Sequence, residues 1–146
     1  MVFEAQYDSP LGPLTLVSDG EALTGLRFGE AVHSASIPLW KDVYAWLDGY
    51  FAGESPALPP MKPRGTDFQK RVWQQLLTIP RGSTRTYGEL ARQLGMTAGA
   101  QAVGQAVGKN PIAILIPCHR VVGKAGLTGY AWGLARKEAL LALEQK

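Results

Sequence analysis

The chain has 146 residues, of which 46% are hydrophobic and 18% are charged, as is ordinary for a soluble globular protein. Its apolar runs are shorter than the roughly 18 residues of a membrane-spanning helix, and its start does not read as a secretory signal, so we expect a cytoplasmic protein with no membrane partner. One cysteine and two histidines exclude an internal disulfide and a cysteine-rich zinc site, and they favour a reducing compartment.

Charge is distributed unevenly along the chain. Residues 1–60 carry two basic and eight acidic side chains, a net charge of −6, whereas residues 61–146 carry thirteen basic and four acidic side chains, a net charge of +9. A small domain with that excess of positive charge attracts polyanions such as nucleic acids. A basic surface can also serve solubility alone, so charge leaves both interpretations open.

The first third of the chain has the pattern of a small antiparallel sheet followed by a helix. Turn signals at residues 9–13 and 19–20 separate short apolar stretches, which is typical of paired strands. Apolar side chains then recur at helical spacing over residues 43–51. These signals predict an amino-terminal α/β domain over residues 1–56.

A proline-rich stretch follows, with four prolines in residues 55–63. Prolines at that density cannot sustain a helix, so we predict a semi-rigid linker over residues 57–64. The stretch lies where the net charge changes sign. A second domain is therefore predicted over residues 65–146.

The second domain is predicted to be mostly helical. Thr66 and Thr86 each begin a capping-box pattern, with Gln or Glu three residues later, and apolar residues at helical spacing follow. A third helix is predicted over residues 98–107. Two short helices joined around Gly95 are typical of a helix-turn-helix, although many helical pairs of this kind bind no DNA.

A continuous apolar run at residues 112–116 precedes the single cysteine, and it predicts a buried extended segment. Cys118, His119 and Arg120 follow Pro117 directly. A lone cysteine is more often an inert buried hydrophobe, but positive charge beside the sulfur favours the reactive thiolate. Adjacent side chains of an extended segment point to opposite faces, so a bridging water would have to connect the imidazole with the sulfur.

Several motifs occur in a fixed order in the second domain: GTDFQKRVW at residues 65–73, IPRG at 79–82, TYGELA at 86–91, KNP at 109–111, IPCHRVVG at 116–123 and Gly129-Tyr130. Together with the SPLG hairpin at residues 9–12, they resemble the O6-alkylguanine-DNA alkyltransferase family. The resemblance covers nearly all of residues 65–143 and needs no gap between Tyr87 and Cys118.

The resemblance implies an α+β fold of two domains. A small amino-terminal antiparallel sheet with a helix would precede a mostly helical, winged-helix-like helix-turn-helix domain that carries the active site. It implies DNA repair by direct, irreversible, single-turnover transfer of an alkyl group, chiefly methyl, from O6 of guanine to Cys118 after nucleotide flipping. The implied partner is double-stranded DNA, bound through its minor groove by a monomer, and no cofactor or metal is required.

The resemblance also assigns candidate site residues. Cys118 would accept the alkyl group, His119 would activate it through a water, and Glu138 would orient His119. Tyr87 would donate to the departing base, and Asn110 would brace the turn before the active-site segment. Substrate contacts, in part through backbone groups, would come from Val107, Val121, Tyr130, Ala131 and Trp132. DNA contacts would come from Thr86, Tyr87, Ala98, Ala100, Gln101, Ala102, Gly104 and Arg120. Without the family, Glu138 would be a surface ion-pair residue and Tyr87 equally a packed aromatic.

Two positions depart from the family pattern. Gln101 stands where the recognition helix usually has an arginine that fills the space left by the flipped base, and residues 95–108 carry no charged side chain. A glutamine neutralises no phosphate, so we predict weak DNA binding. Trp132 stands where many members have glycine, which predicts a narrow alkyl pocket that discriminates against bulky groups, unless the ring turns outward.

Two other functions remain open at this point. An alkyltransferase-like protein would recognise damage without repairing it, but such proteins usually lack the cysteine. An engineered self-labelling tag for O6-benzylguanine derivatives would have a neutral recognition helix in order to suppress DNA binding. A plain helix-turn-helix regulator would have no use for the Pro-Cys-His-Arg segment.

Overall fold

The structure, a computed structural model, describes residues 2–32, 36–124, 126 and 129–146. It divides the chain into two compact units. Unit 1 consists of Met1–Arg64 and Pro111–Leu115, and unit 2 consists of Gly65–Asn110 and Ile116–Lys146. The predicted α+β class is confirmed, with an antiparallel sheet and one helix in unit 1 and mainly helices in unit 2.

Unit 1 contains a three-stranded antiparallel sheet in the order β1 (Phe3–Ser9), β2 (Gly12–Ser18) and β3 (Leu23–Phe28). The second turn forms because the Asp19 carboxylate accepts hydrogen bonds from the backbone N–H groups of the two residues that precede β3. The buried face of this sheet supplies aliphatic side chains to the core of unit 1.

Helix α1 (Leu39–Phe51) completes the core of unit 1. Its apolar side chains repeat every three or four residues, so one face of the helix is buried. Trp46 and Tyr50, one turn apart, stack with their ring centroids 5.2 Å apart. Aromatic packing therefore supplies much of the buried surface of this unit.

The structure differs from the predicted division of the chain in two places. Residues 60–62 do not form a free linker: Leu23 N–H donates to the Pro60 carbonyl at 2.9 Å, and Lys62 N–H donates to the Leu23 carbonyl at 2.8 Å. Residues 111–115 also belong to unit 1, since Ala113 N–H donates to the Leu26 carbonyl at 3.1 Å. The prolines exclude a helix over residues 60–62, because a proline has no backbone N–H. The carbonyl of Pro60 and the N–H of Lys62 can still form hydrogen bonds with β3.

The apolar run before the cysteine is buried, as predicted, but the prediction that it is extended is wrong. Residues 113–115 form a turn, and Ile114 has a φ of 72°. A β-branched residue rarely adopts this left-handed conformation, because its Cβ crowds the backbone. Burial of the five apolar side chains of residues 112–116 offsets this local cost, and hydrophobic spacing alone does not reveal the turn.

Unit 2 is built from α2 (Asp67–Leu76), α3 (Tyr87–Gln93), α4 (Ala100–Gly108) and α5 (Leu134–Glu144), with a two-residue parallel pairing of β4 (Arg85–Thr86) and β5 (Val121–Val122). Both predicted capping boxes are confirmed. Helix α4 begins two residues later than predicted, after Gly99, whose φ of 132° is open only to glycine. None of the helices in the described parts of the chain is long and apolar enough to cross a membrane.

Candidate active site

Cys118 lies in a single 3₁₀ turn, Cys118–Arg120, rather than at the end of a strand. The turn closes when Arg120 N–H donates to the Pro117 carbonyl at 3.0 Å. Successive side chains of a 3₁₀ helix are separated by about 120°, so the sulfur, the imidazole and the guanidinium group leave the turn in three directions. The turn therefore gives each of the three residues a different environment within unit 2.

The sulfur lies at the wall of a cleft of about 260 Å³. This volume is just below the range of pockets for drug-sized ligands, roughly 300–1,000 Å³, and suits a small planar group. Cys118 itself is only 7% exposed. The cleft is lined by Tyr87, Gly104, Val107, Gly108, Asn110, Cys118, Gly129, Tyr130, Ala131 and Trp132.

Asn110 connects the end of α4 with the active-site turn. Its side-chain amide donates to the Ile116 carbonyl at 2.8 Å, and it also forms a hydrogen bond with Cys118. Tyr130 also lines the cleft, and its phenol acts to lower the pKa of the Cys118 thiol. Asn110 therefore joins the end of α4 to the residue that precedes Pro117 and Cys118.

Behind the sulfur, His119 and Glu144 form a fully buried pair. His119 Nε2 and Glu144 Oε2 are 2.7 Å apart, and both side chains have 0% exposure. The same carboxylate is held by Arg120, whose Nε donates to Oε1 at 2.8 Å and whose Nη2 donates to Oε2 at 2.9 Å. A carboxylate that accepts from Nε2 fixes the imidazole with its lone pair on Nδ1.

Burial controls the protonation of both reactive groups. It raises the pKa of the Cys118 thiol, and hydrogen bonds from Asn110 and the positive charge of Lys137 oppose it only in part. Burial also lowers the pKa of His119, although Glu144 acts in the other direction. The resting site therefore holds a thiol beside a neutral imidazole, and the prediction that adjacent positive charge keeps the sulfur ionised is wrong.

Known proteins share both the sequence and the fold. A family described as 6-O-methylguanine DNA methyltransferase, DNA binding domain, matches residues 67–146, and its ribonuclease-like domain matches residues 2–58. The methylated-DNA–protein-cysteine methyltransferase of Mycobacterium bovis is 51% identical over 154 positions, which cover 99% of this chain and 93% of that protein. The protein of that name from Methanosarcina acetivorans is 43% identical and covers 98% of both.

Solved structures agree. The crystal structure of Mycobacterium tuberculosis O6-methylguanine methyltransferase has a TM-score of 0.90 and 49% identity, covering 99% of this chain and 93% of that one. That organism's protein has also been solved in complex with DNA, with a TM-score of 0.89, 48% identity and coverage of 98% and 92%. This chain belongs to the 6-O-methylguanine DNA methyltransferase family.

In this methyltransferase family member, the carboxylate behind the histidine is Glu144 and not the predicted Glu138. Glu138 is exposed on α5, whereas Glu144 shares the buried face of that helix with Leu140. Six residues correspond to about 600° of helix rotation, so the two glutamates face different directions. The spacing of Leu140 and Glu144 along one face is a signal already present in the sequence.

The structure also shows the surroundings of two further candidate residues, Arg120 and Val121. Among the described residues, the Arg120 guanidinium group donates to the Glu144 carboxylate and to the Ile79 carbonyl, so it is directed inward. Its assignment as a DNA contact stays a prediction. Val121 is fully buried in β5 and does not line the cleft. Its side chain is part of the core, which leaves only its backbone for contact with a substrate.

The structure brings the other predicted cleft residues together, and it adds Gly108 and Gly129, which were not predicted as site residues. Val107, Tyr130, Ala131 and Trp132 line the cleft, with Tyr87. The Tyr87 ring lies against Gly104, where a Cβ would be 3.6 Å from two ring carbons. Trp132 is half-buried at the cleft, so its ring does not turn wholly outward.

The outer surface of α4 is neutral and made of small side chains. Ala100, Gln101 and Ala102 are exposed on this helix and Ala98 is exposed just before it, while Gly104 is half-buried against α3. Thr86 uses its hydroxyl oxygen to accept a hydrogen bond from Glu89 N–H, which caps α3. Within the described residues, no group of three or more His, Cys, Asp or Glu is placed to hold a metal ion.

Proposed function

We propose that this chain repairs DNA by transferring an alkyl group, chiefly methyl, from O6 of guanine to Sγ of Cys118. Each molecule would act once, as a methylated-DNA–protein-cysteine S-methyltransferase. The observation that supports this most strongly is the position of the sulfur between a base-sized cleft and a buried imidazole–carboxylate pair. The names of the relatives and the complex of one relative with DNA point the same way.

The first step removes the thiol proton. His119 Nδ1 has no hydrogen-bond partner among the residues that the structure describes, so it is free to accept the proton through a water. Glu144 then stabilises the imidazolium group that forms. Because burial raises the pKa of the thiol, thiolate is scarce until this relay operates.

The second step is displacement at the alkyl carbon. The sulfur–carbon bond forms as the carbon–O6 bond breaks, and the electron pair of the broken bond stays on the guanine. The Tyr87 hydroxyl, at the cleft, donates to the departing base as negative charge develops there. The product is a thioether with no easy return path, so the reaction is irreversible and needs no cofactor.

The substrate is double-stranded DNA, and the target base must leave the helix before its alkyl group can reach the sulfur. The small exposed residues of α4 allow close approach to a minor groove. Gln101 would occupy the space left by the base but neutralise no phosphate, so binding is weak for this family. The protein acts as a monomer in a reducing compartment, where its thiol stays reduced.

Intact-mass measurement after incubation with duplex O6-methylguanine DNA tests the proposal, with Cys118→Ser as the control. We expect one added methyl group in the unsubstituted protein and none in the variant. Binding without added mass would instead identify a damage-recognition protein. Rapid labelling by free O6-benzylguanine, with negligible DNA binding, would identify a self-labelling tag.

A further inference from the structure

Lys137 is a buried cation that the reaction described above does not use. It lies on α5 with 0% exposure and is among the largest fully buried side chains of the protein. An ammonium group in such a position destabilises the fold unless its surroundings compensate the charge. Its Nζ donates to the Gly129 carbonyl at 3.4 Å, and Gly129 lines the cleft.

The two ionisable groups buried on α5 lie on one face. Lys137, Leu140 and Glu144 are spaced by three and four residues, which aligns their side chains along the helix. The active-site turn packs against this helix, and Glu144 meets His119 there. The Lys137 ammonium group donates to Gly129, which lines the same cleft as Cys118. Burial lowers the pKa of Lys137 and a thiolate at Cys118 opposes that shift, while the charge of Lys137 acts to lower the pKa of the thiol.

The other polar groups near the sulfur do not supply a net positive charge. Asn110 is an amide, and Tyr87 and Tyr130 present phenol groups to the cleft, so none of the three is a cation. The charge of Arg120 is compensated by the carboxylate of Glu144. His119 is neutral until it accepts the thiol proton, because burial lowers its pKa.

We propose that Lys137 is a positioning residue whose ammonium group stabilises the thiolate of Cys118 and whose hydrogen bond to Gly129 holds one edge of the cleft. Removal of the thiol proton creates a negative charge on the sulfur and a positive charge on the imidazole, and each charge is then stabilised by a different residue of α5. Glu144 stabilises the imidazolium, and Lys137 stabilises the thiolate. This inference rests on the proposed alkyl transfer to Cys118.

The pH dependence of Cys118 alkylation by iodoacetamide tests it without DNA. A cation beside a thiolate lowers the thiol pKa, so loss of the charge moves the alkylation midpoint to higher pH. For Lys137→Met we expect an upward shift of about one pH unit, equivalent to a roughly tenfold lower rate below the midpoint. Lys137→Arg, which keeps the charge, should restore the midpoint, and Lys70→Met, an exposed cation on α2, should leave it unchanged.

A purely structural role would slow methyl transfer in Lys137→Met without moving the alkylation midpoint, and that result would overturn the proposal. If the variant does not fold, NMR titration of the Lys137 Nζ group in the unsubstituted protein provides the test. The titration is carried to a pH at which the Cys118 thiol ionises. Burial lowers the pKa of Lys137 and a thiolate at Cys118 opposes that shift, so the Lys137 pKa should be lower after Cys118 is methylated, because a thioether carries no charge. An unchanged Lys137 pKa would contradict the proposal.

The two proposals fail separately. A normal alkylation shift with no methyl gained from DNA would contradict repair and leave the thiolate role of Lys137 intact. If the protein gains a methyl group from DNA but Lys137→Met leaves the alkylation midpoint unchanged, the repair proposal stands and the thiolate role of Lys137 is contradicted.

Discussion

The two units bury polar groups of different kinds. In the described part of unit 1, the buried polar side chains are the hydroxyl groups of Thr15 and Ser18, which donate to backbone carbonyls at 2.9 and 2.7 Å. Among the described residues, those of unit 2 are Asn110, His119, Lys137 and Glu144, three of which are ionisable. A hydroxyl group is satisfied by one backbone partner, whereas a buried ionisable group needs a network.

The buried ionisable groups of unit 2 lower the stability of the fold, and their presence indicates that they serve the reaction. Perturbed ionisable groups cluster at functional sites, because a reactive group needs a pKa that water would not give it. Unit 1 gains its stability from a sheet and aromatic packing and contains no comparable cluster in its described part. Substitutions in unit 2 should therefore change the reaction far more than substitutions in unit 1.

The largest effect is expected at Glu144. Glu144→Gln leaves the Arg120 guanidinium group without its counterion and removes the negative charge beside His119, which should cost about 3–5 kcal/mol of stability and at least a hundredfold in transfer rate. Glu138→Gln, on the exposed face of the same helix, is the matched control and should change neither. Thermal unfolding and single-turnover methyl transfer measure both effects. Equal rates for the two variants would remove Glu144 from the mechanism.

Trp132 should affect which alkyl group is accepted. Trp132→Gly opens the cleft beside the sulfur, so the rate with O6-benzylguanine should rise about tenfold relative to the rate with O6-methylguanine, an effect of the size seen for steric changes in apolar pockets. Competition between the two substrates, read by intact mass, measures this ratio. A native protein that already prefers the benzyl substrate would contradict the narrow pocket, and Trp132→Phe should give an intermediate ratio.

A smaller gain in binding is expected at Gln101. Gln101→Arg adds one phosphate contact on α4, which should tighten DNA binding several-fold and steepen the dependence of log K on log salt by about 0.9. Fluorescence titration of duplex DNA over a series of salt concentrations measures the slope. Gln74→Arg, an exposed position on α2, adds the same charge elsewhere and serves as the control. If both arginine variants have the same slope of log K against log salt, the added charge acts only through the net charge of the protein and not through a contact made by residue 101.

The smallest effect is expected in unit 1. Tyr7→Phe removes a hydrogen bond of 2.7 Å to Asp48, but this bond is exposed, so the loss should be about 1 kcal/mol or less. Methyl transfer should be unchanged. A large loss of activity with normal unfolding would break the contrast between the units.

The sequence allowed the prediction of features that depend on neighbouring residues. The capping boxes at Thr66 and Thr86 each need only four consecutive residues, and the helices that they begin follow an apolar repeat. The cysteine, the histidine and most of the cleft were identified through motifs that keep their order along the chain. Each of these signals depends on neighbouring residues or on a fixed spacing along the chain, so it can be recognised without knowledge of the tertiary structure.

Features that depend on distant partners were not predicted correctly. The turn at residues 113–115 depends on burial against β3. The apolar run alone therefore led to the wrong prediction of an extended segment. The choice between Glu138 and Glu144 depends on which face of α5 meets the active-site turn. The pKa of Cys118 depends on how completely the fold removes it from water, which no adjacent residue reveals.

The chain crosses from unit 2 into unit 1 and back within five residues, Pro111–Leu115. A fragment cut at the boundary after Arg64 would carry these five residues away from β3, and it would expose Ile112 and the aliphatic side chains that follow to solvent. Neither unit is therefore a contiguous module that can be excised cleanly. Dissection of this protein should retain both units or replace this segment with a polar loop.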